Sequence, residues 1–128
     1  MKLLLDTHVF LWWLDSADQL SPLVLHAFSE PANELYLSVA SIWEIQNKVQ
    51  IGKLGLKHPL ETTVQLQCEH TDLRILSISD SHVFALDRLP PHHRDPFDRM
   101  LVAQASVEGM TLATRDPKLQ SFGIPTLW

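Results

Sequence analysis

The sequence predicts an α/β sandwich, a parallel sheet covered by helices, on three observations. Short apolar runs alternate with longer stretches of three-and-four apolar spacing along the whole chain. Local residues mark where helices begin and end: Ser21-Pro22 and Asp95-Pro96 open two, and Gly109 closes the second of them. The chain of 128 residues contains no linker-like tract, low-complexity segment or internal repeat, so residues 1–128 are expected to form one domain around one core.

Taken in order, Lys2 to Leu5 is too short and too apolar for an independent helix and suits a buried strand. His8 to Leu14 reads as a short helix, and Pro22 to about Ser29 as a second, with Ser21 as its cap. Leu35 to Leu37 is a second strand. Ser38 to Gln50 is helical, with Val39, Ile42, Ile45 and Val49 on one face, and Gly52 and Gly55 end it. Pro59 to about His70 is another helix, Arg74 to Ile78 a third strand, and Asp80 to Leu89 a helix that stops before Pro90-Pro91. Pro96 to Glu108 is a long helix, Met110 to Ala113 a fourth strand and Pro117 to Phe122 a short helix. Pro125 to Leu127 adds an edge strand.

Composition narrows the function classes. An apolar fraction of 45% beside 20% charged residues fits a folded, soluble protein rather than a disordered one. The single cysteine, Cys68, excludes an internal disulfide and a cysteine zinc cage, which points to a reducing, cytoplasmic setting. The longest apolar run near the N-terminus, Val9 to Leu14, falls far short of the ~18 to 20 residues of a spanning helix, and no cleavage pattern follows it. No membrane association and no leader are therefore expected. A formal charge of −5 argues against broad polyanion binding, but not against nucleic acid at a cleft whose acids are neutralised by cations.

In parallel α/β sheets, ligands bind outside the carboxyl ends of the strands. The first strand ends at Asp6, and the fourth runs into Thr114-Arg115-Asp116, which places two carboxylates at that edge. Each acid of interest also has a structural role open to it. Asp6 is a turn residue or cap, and Asp116 is a cap before Pro117. Glu44 completes a capping box with Ser41 and an i, i+4 pair with Lys48; the apolar periodicity leaves it on the solvated side. Asp98 favours the N-terminus of the helix that Asp95 caps. Their order along the chain would suit a hard divalent cation if they converge, because Mg²⁺ and Mn²⁺ prefer oxygen ligands.

The segments LLLDTHVFLWWL, SVASIWEIQNKVQIGKL, DPFDRMLVAQA and TLATRDPKL, with their spacing, resemble the PIN-domain ribonucleases and, within them, the VapC-type toxins of toxin-antitoxin pairs. The resemblance spans nearly the whole chain. It implies a three-layer α/β/α sandwich around a short, mostly parallel sheet, and an acidic pocket for Mg²⁺ or Mn²⁺. By motif, the pocket comprises Asp6, Glu44, Asp98 and Asp116, with the hydroxyls of Thr114 and Thr7 in support. It also implies hydrolysis of RNA phosphodiesters by a metal-activated water, inhibition by a cognate antitoxin, and a homodimer. Glu44 moves from solvated to catalytic on the resemblance alone.

The remaining features are read more plainly. His92-His93 lacks the spacing of a zinc site and is expected in a loop, and His8 is not counted in the site. Arg94, Arg99 and Arg115 are expected to pair with neighbouring acids, although arginine also suits phosphate. Trp12 and Trp13 belong to the core or to a partner surface. A phosphatase with an Asp nucleophile would need D-x-D where Asp6-Thr7-His8 stands, and a receiver domain would need a lysine near Thr114-Arg115-Asp116. The readings left beside a toxin are a PIN nuclease in housekeeping RNA processing and a non-catalytic PIN-like binding module.

Overall fold

The computed structural model describes residues 1–128. Five strands form one sheet: β1 (Lys2–Leu5), β2 (Glu34–Ser38), β3 (Arg74–Leu76), β4 (Thr111–Ala113) and β5 (Thr126–Leu127). Their spatial order is β3-β2-β1-β4-β5, and every pairing is parallel. The chain builds outward from β1 to β3, then returns to the other side of β1 for β4 and β5. The strand order therefore reverses between β1 and β4, which opens a crevice at their carboxyl ends.

Strand alternation divides the core into two layers. Leu3 and Leu5 point into one cluster with Val9 and Phe10 of α1 (Thr7–Asp15), Val24 and Ala27 of α2 (Pro22–Ser29) and Ile45 of α3 (Val39–Gln50). Partly buried Leu60, Val64 and Cys68 of α4 (Leu60–Thr71) pack against it. Leu4 points the other way, into a cluster with Leu101, Val102 and Ala105 of α6 (Pro96–Glu108) and Leu119 of α7 (Pro117–Gln120). Helix α5 (Asp80–Ala85) lies against α6. Burying both faces of β1 explains its unbroken leucine run, and fully burying each such side chain stabilises the fold by roughly 1.5 to 3 kcal/mol.

The expected elements are all present, with shifted ends. Ser38 closes β2 and caps α3, its hydroxyl accepting from the Ala40 amide at 3.0 Å, instead of forming the first helical residue. The Ser41-Glu44 capping box is consequently absent, because Ser41 lies inside the helix. Strand β3 stops at Leu76 rather than Ile78, and α5 gives way after Ala85 to a 3₁₀ turn over Leu86–Arg88. Helix α7 ends at Gln120 rather than Phe122. A buried polar chain ties the second layer together. Ser38 Oγ donates to Gln104 Oε1 at 2.5 Å, Gln104 Nε2 lies 3.4 Å from His82 Nδ1, and His82 Nε2 lies 3.0 Å from Glu108. No helix is long and apolar enough to cross a membrane.

Candidate metal centre

The crevice between β1 and β4 is built by register. Leu5 pairs with Ala113, and the Asp6 amide donates to the Ala113 carbonyl at 3.0 Å, so Asp6 and Thr114 emerge side by side. The Thr114 hydroxyl, fully buried, donates to Asp6 Oδ2 at 2.8 Å and accepts from the Asp116 amide at 3.0 Å. Asp6 Oδ1 has no protein partner. Because no wholly buried side-chain oxygen or nitrogen lacks a partner, Oδ1 reaches solvent in the crevice.

Helix α1 begins immediately after Asp6 and turns Thr7 toward α3. The Thr7 hydroxyl lies 2.9 Å from Ser41 Oγ and 2.8 Å from Glu44 Oε1, which draws α3 against α1. Glu44 is 7% exposed, so it faces inward although apolar spacing places it on the solvated side. The stripe misleads because Val39 is exposed while Ala40, Ser41, Glu44 and Ile45 are buried. The buried face of α3 is half polar. Glu44 Oε2 meets Lys48 Nζ at 3.0 Å, so the i, i+4 pair expected from the sequence forms as well.

Asp98 enters from the second layer. Asp95 caps α6 by accepting from the amides of Phe97 at 2.9 Å and Asp98 at 3.0 Å, and Pro96 sits at the first helical position. This fixes Asp98 in the first turn, where its Oδ2 meets His93 Nε2 at 2.9 Å. His93 does lie in a loop, as expected, but that loop reaches the crevice. The H-x-D-P-F-D spacing was the available signal, and zinc-motif rules do not score it. His92 instead bonds Ser121 and packs on Phe122.

Electrostatics groups three of the four acids. Burial pushes the Asp6 carboxyl up to about 6, Asp98 and Glu44 add to the rise, and the Thr114 hydrogen bond and His8 oppose it. Burial also raises Asp98, opposed by the His93 hydrogen bond and reinforced by Asp95 and Glu44. Asp6, Glu44 and Asp98 therefore feel one another as like charges. Asp116 stands apart: its Oδ1 caps α7 through the Lys118 amide at 2.9 Å, and only the Thr114 hydroxyl links it to Asp6.

The donor set fits a hard divalent cation. It is all oxygen, its Asp6 Oδ1 is free and reaches solvent, and an added cation would relieve the mutual repulsion of the acids. No three histidine, cysteine or carboxylate side chains stand close enough together to hold a metal ion by themselves. Mg²⁺-type sites tolerate this, because waters and substrate phosphate complete their shells.

Fold and crevice together define the class: the chain belongs to the PIN domain family, whose model matches residues 3–124. Ribonucleases of this family generally depend on a divalent metal. Among characterised relatives, Ribonuclease VapC22 of Mycobacterium tuberculosis is 32% identical over 129 residues, spanning 98% of this chain and 97% of that protein. Similar solved structures include VapBC2 from Rickettsia felis bound to a promoter DNA fragment, with a TM-score of 0.72, 17% identity, and 99% and 98% of the two chains covered. VapBC-1 from nontypeable Haemophilus influenzae gives a TM-score of 0.69 at 15% identity, covering 99% and 97%. FitAcB from Neisseria gonorrhoeae gives 0.67 at 20% identity, covering 98% and 96%.

Proposed function

We propose that residues 1–128 act as one domain, a metal-dependent ribonuclease toxin that works in the cytoplasm and is held inactive by a cognate antitoxin. The observation that supports this reading is that Asp98 and Glu44, from two other elements, both push up the carboxyl of Asp6 at the switch point of the sheet. The kinship to Ribonuclease VapC22 supports RNA as the substrate and the toxin role.

Asp6, Glu44 and Asp98 would hold Mg²⁺ or Mn²⁺, directly or through water, and Asp116 would tune the site from the base of α7. A cation held by these acids would supply charge neutralisation at the scissile phosphate and activation of water. The protein's own residues supply the geometry. Thr114 holds Asp6 Oδ2 so that Oδ1 faces the crevice, Thr7 and Lys48 orient Glu44, and His93 fixes Asp98. A fixed carboxylate set loses no side-chain freedom when substrate arrives.

For protein partners, an apolar groove of about 470 Å³ between α3 and α4, lined by Val39, Ile42, Trp43, Leu60 and Val64, offers a surface for an antitoxin or a second copy of the chain. Trp43 is 59% exposed there. The deciding assay incubates purified protein with single-stranded RNA in Mg²⁺ or Mn²⁺, with and without chelator. Cleavage that chelator abolishes is expected; chelator-resistant cleavage, or none with either metal, would overturn the reading.

A further inference from the structure

Beside Asp6 and Glu44 runs a groove that carries two lysines. It has a volume of about 470 Å³ and is lined by His8, Leu11, Trp12, Asp15, Lys48, Lys53 and Leu54. Three elements tie it to the carboxylates. His8 follows Asp6-Thr7 on α1, Lys48 meets Glu44 at 3.0 Å, and Arg115, which packs on the groove's Trp12 from outside its lining, follows Thr114, whose hydroxyl holds Asp6. Lys48 is paired with Glu44 and Asp15 lines the groove as well, so Lys53 and the neighbouring Arg115 are the cations left free to meet a ligand.

Arg115 is the telling residue. It is exposed, it forms no ion pair or hydrogen bond within the protein, and it ignores the adjacent Asp116. Its guanidinium instead lies 4.3 Å from the centre of the Trp12 ring and 5.9 Å from that of Trp128. The two rings meet edge to face at 6.1 Å. Stacking fixes the plane of a guanidinium while leaving its in-plane N–H donors unengaged, an arrangement suited to bidentate contact with phosphate. Arg99 shows the contrast, with its donors taken by the carbonyls of Pro90, His93 and Leu86. Lys53 likewise lines the groove without an ion pair.

We propose that this groove seats the RNA strand next to the scissile bond, with Arg115, placed against Trp12 and Trp128, and Lys53 gripping flanking phosphates. A positive groove with an aromatic wall is the usual means of holding single strands without reading their sequence. It also answers how an acidic protein holds a polyanion: the cation offsets charge at the cut, and the groove holds the strand beside it. The inference rests on the ribonuclease reading, and the test separates the two.

Binding is measured by fluorescence anisotropy of labelled single-stranded RNA in Mg²⁺, in an Asp98→Asn background that does not cleave. Arg115→Gln is expected to weaken binding about tenfold and to lower the slope of log affinity against log salt by about 0.7, one phosphate contact. Lys53→Gln should lower the slope similarly, and Arg115→Lys should recover part of the affinity. Arg88→Gln, on the opposite face of the sheet, serves as the charge control and should change neither quantity. In the cleaving protein, Arg115→Gln should raise KM with kcat nearly unchanged. Unchanged affinity and salt slope in both groove variants would overturn the proposal and leave the groove to a protein segment instead. If the unmodified protein fails to cleave while the groove variants still lose binding, the nuclease reading fails and the groove assignment stands.

Discussion

Replacing Asp6 with asparagine separates what the acidic crevice costs the fold from what it does. Asp6 is 5% exposed, and burial first, then Asp98 and Glu44, raise its carboxyl from 3.8 to about 6. With the folded-state value above the unfolded one, the folded protein holds the extra proton between the two values. Stability therefore falls as pH rises through that window. Ionised at pH ~7.5 without a cation, Asp6 costs the fold roughly 3 kcal/mol, because a tenfold change in proton affinity is worth about 1.36 kcal/mol. Asparagine keeps the shape and an oxygen to accept from Thr114, and removes the charge. Asp6→Asn should therefore stabilise the metal-free protein at pH ~7.5 by about 1 to 3 kcal/mol, or ~3 to 10 °C in Tm. It should also flatten the dependence of stability on pH between ~4 and ~6. Thermal unfolding in chelator, followed by circular dichroism at both ends of that range and at pH ~7.5, measures each quantity. A variant less stable than the unmodified protein at pH ~7.5, or one keeping the full pH slope, would refute the reasoning.

Thr114→Val removes a buried donor from Asp6 and an acceptor from the Asp116 amide; it should weaken Mn²⁺ binding by about 10- to 100-fold in calorimetric titration while Thr114→Ser stays near the unmodified protein. Asp95→Ala deletes the cap of α6 and should lower stability in urea unfolding by about 1 to 2 kcal/mol, with RNA cleavage falling because Asp98 loses its fixed turn. Mn²⁺ affinity should decline as pH falls below about 6, because Asp6 and Asp98, both raised, take up protons that compete with the cation; titrations at a series of pH values check this. Leu4→Ala, at a fully buried position of β1, should cost about 2 to 5 kcal/mol without altering the metal stoichiometry of the protein that remains folded.

Most of the fold was legible because its signals are local. The leucine run of β1, Ser21 before Pro22, Asp95 before Pro96 and Gly109 at φ 66° each state an element's start or end. The ends that moved depend on tertiary context. Ser38 could open a helix or close a strand, and pairing with Leu76 in β3 decides for the strand. The site was less legible. Asp6 follows from the sheet rule, but the burial of Glu44 runs against its helical periodicity, since its partners Thr7 and Ser41 are polar and leave no apolar stripe. Resemblance supplied that residue. The surroundings of His93 and Arg115 were not legible for a related reason: one meets Asp98 from a loop, and the other, expected to pair with a neighbouring acid, is placed instead by two tryptophans that are 116 residues apart in the chain (Trp12 and Trp128).

The reading of Asp6, Glu44 and Asp98 as the metal-holding acids of a ribonuclease rests on their electrostatic linkage at the switch point of the sheet. Its most direct test is the initial rate of single-stranded RNA cleavage in Mg²⁺ or Mn²⁺ by the unmodified protein and by Asp98→Asn, with circular dichroism confirming that both are folded. The account predicts cleavage by the first and its loss, by about a hundredfold or more, in the second. Equal rates from two folded proteins would contradict it.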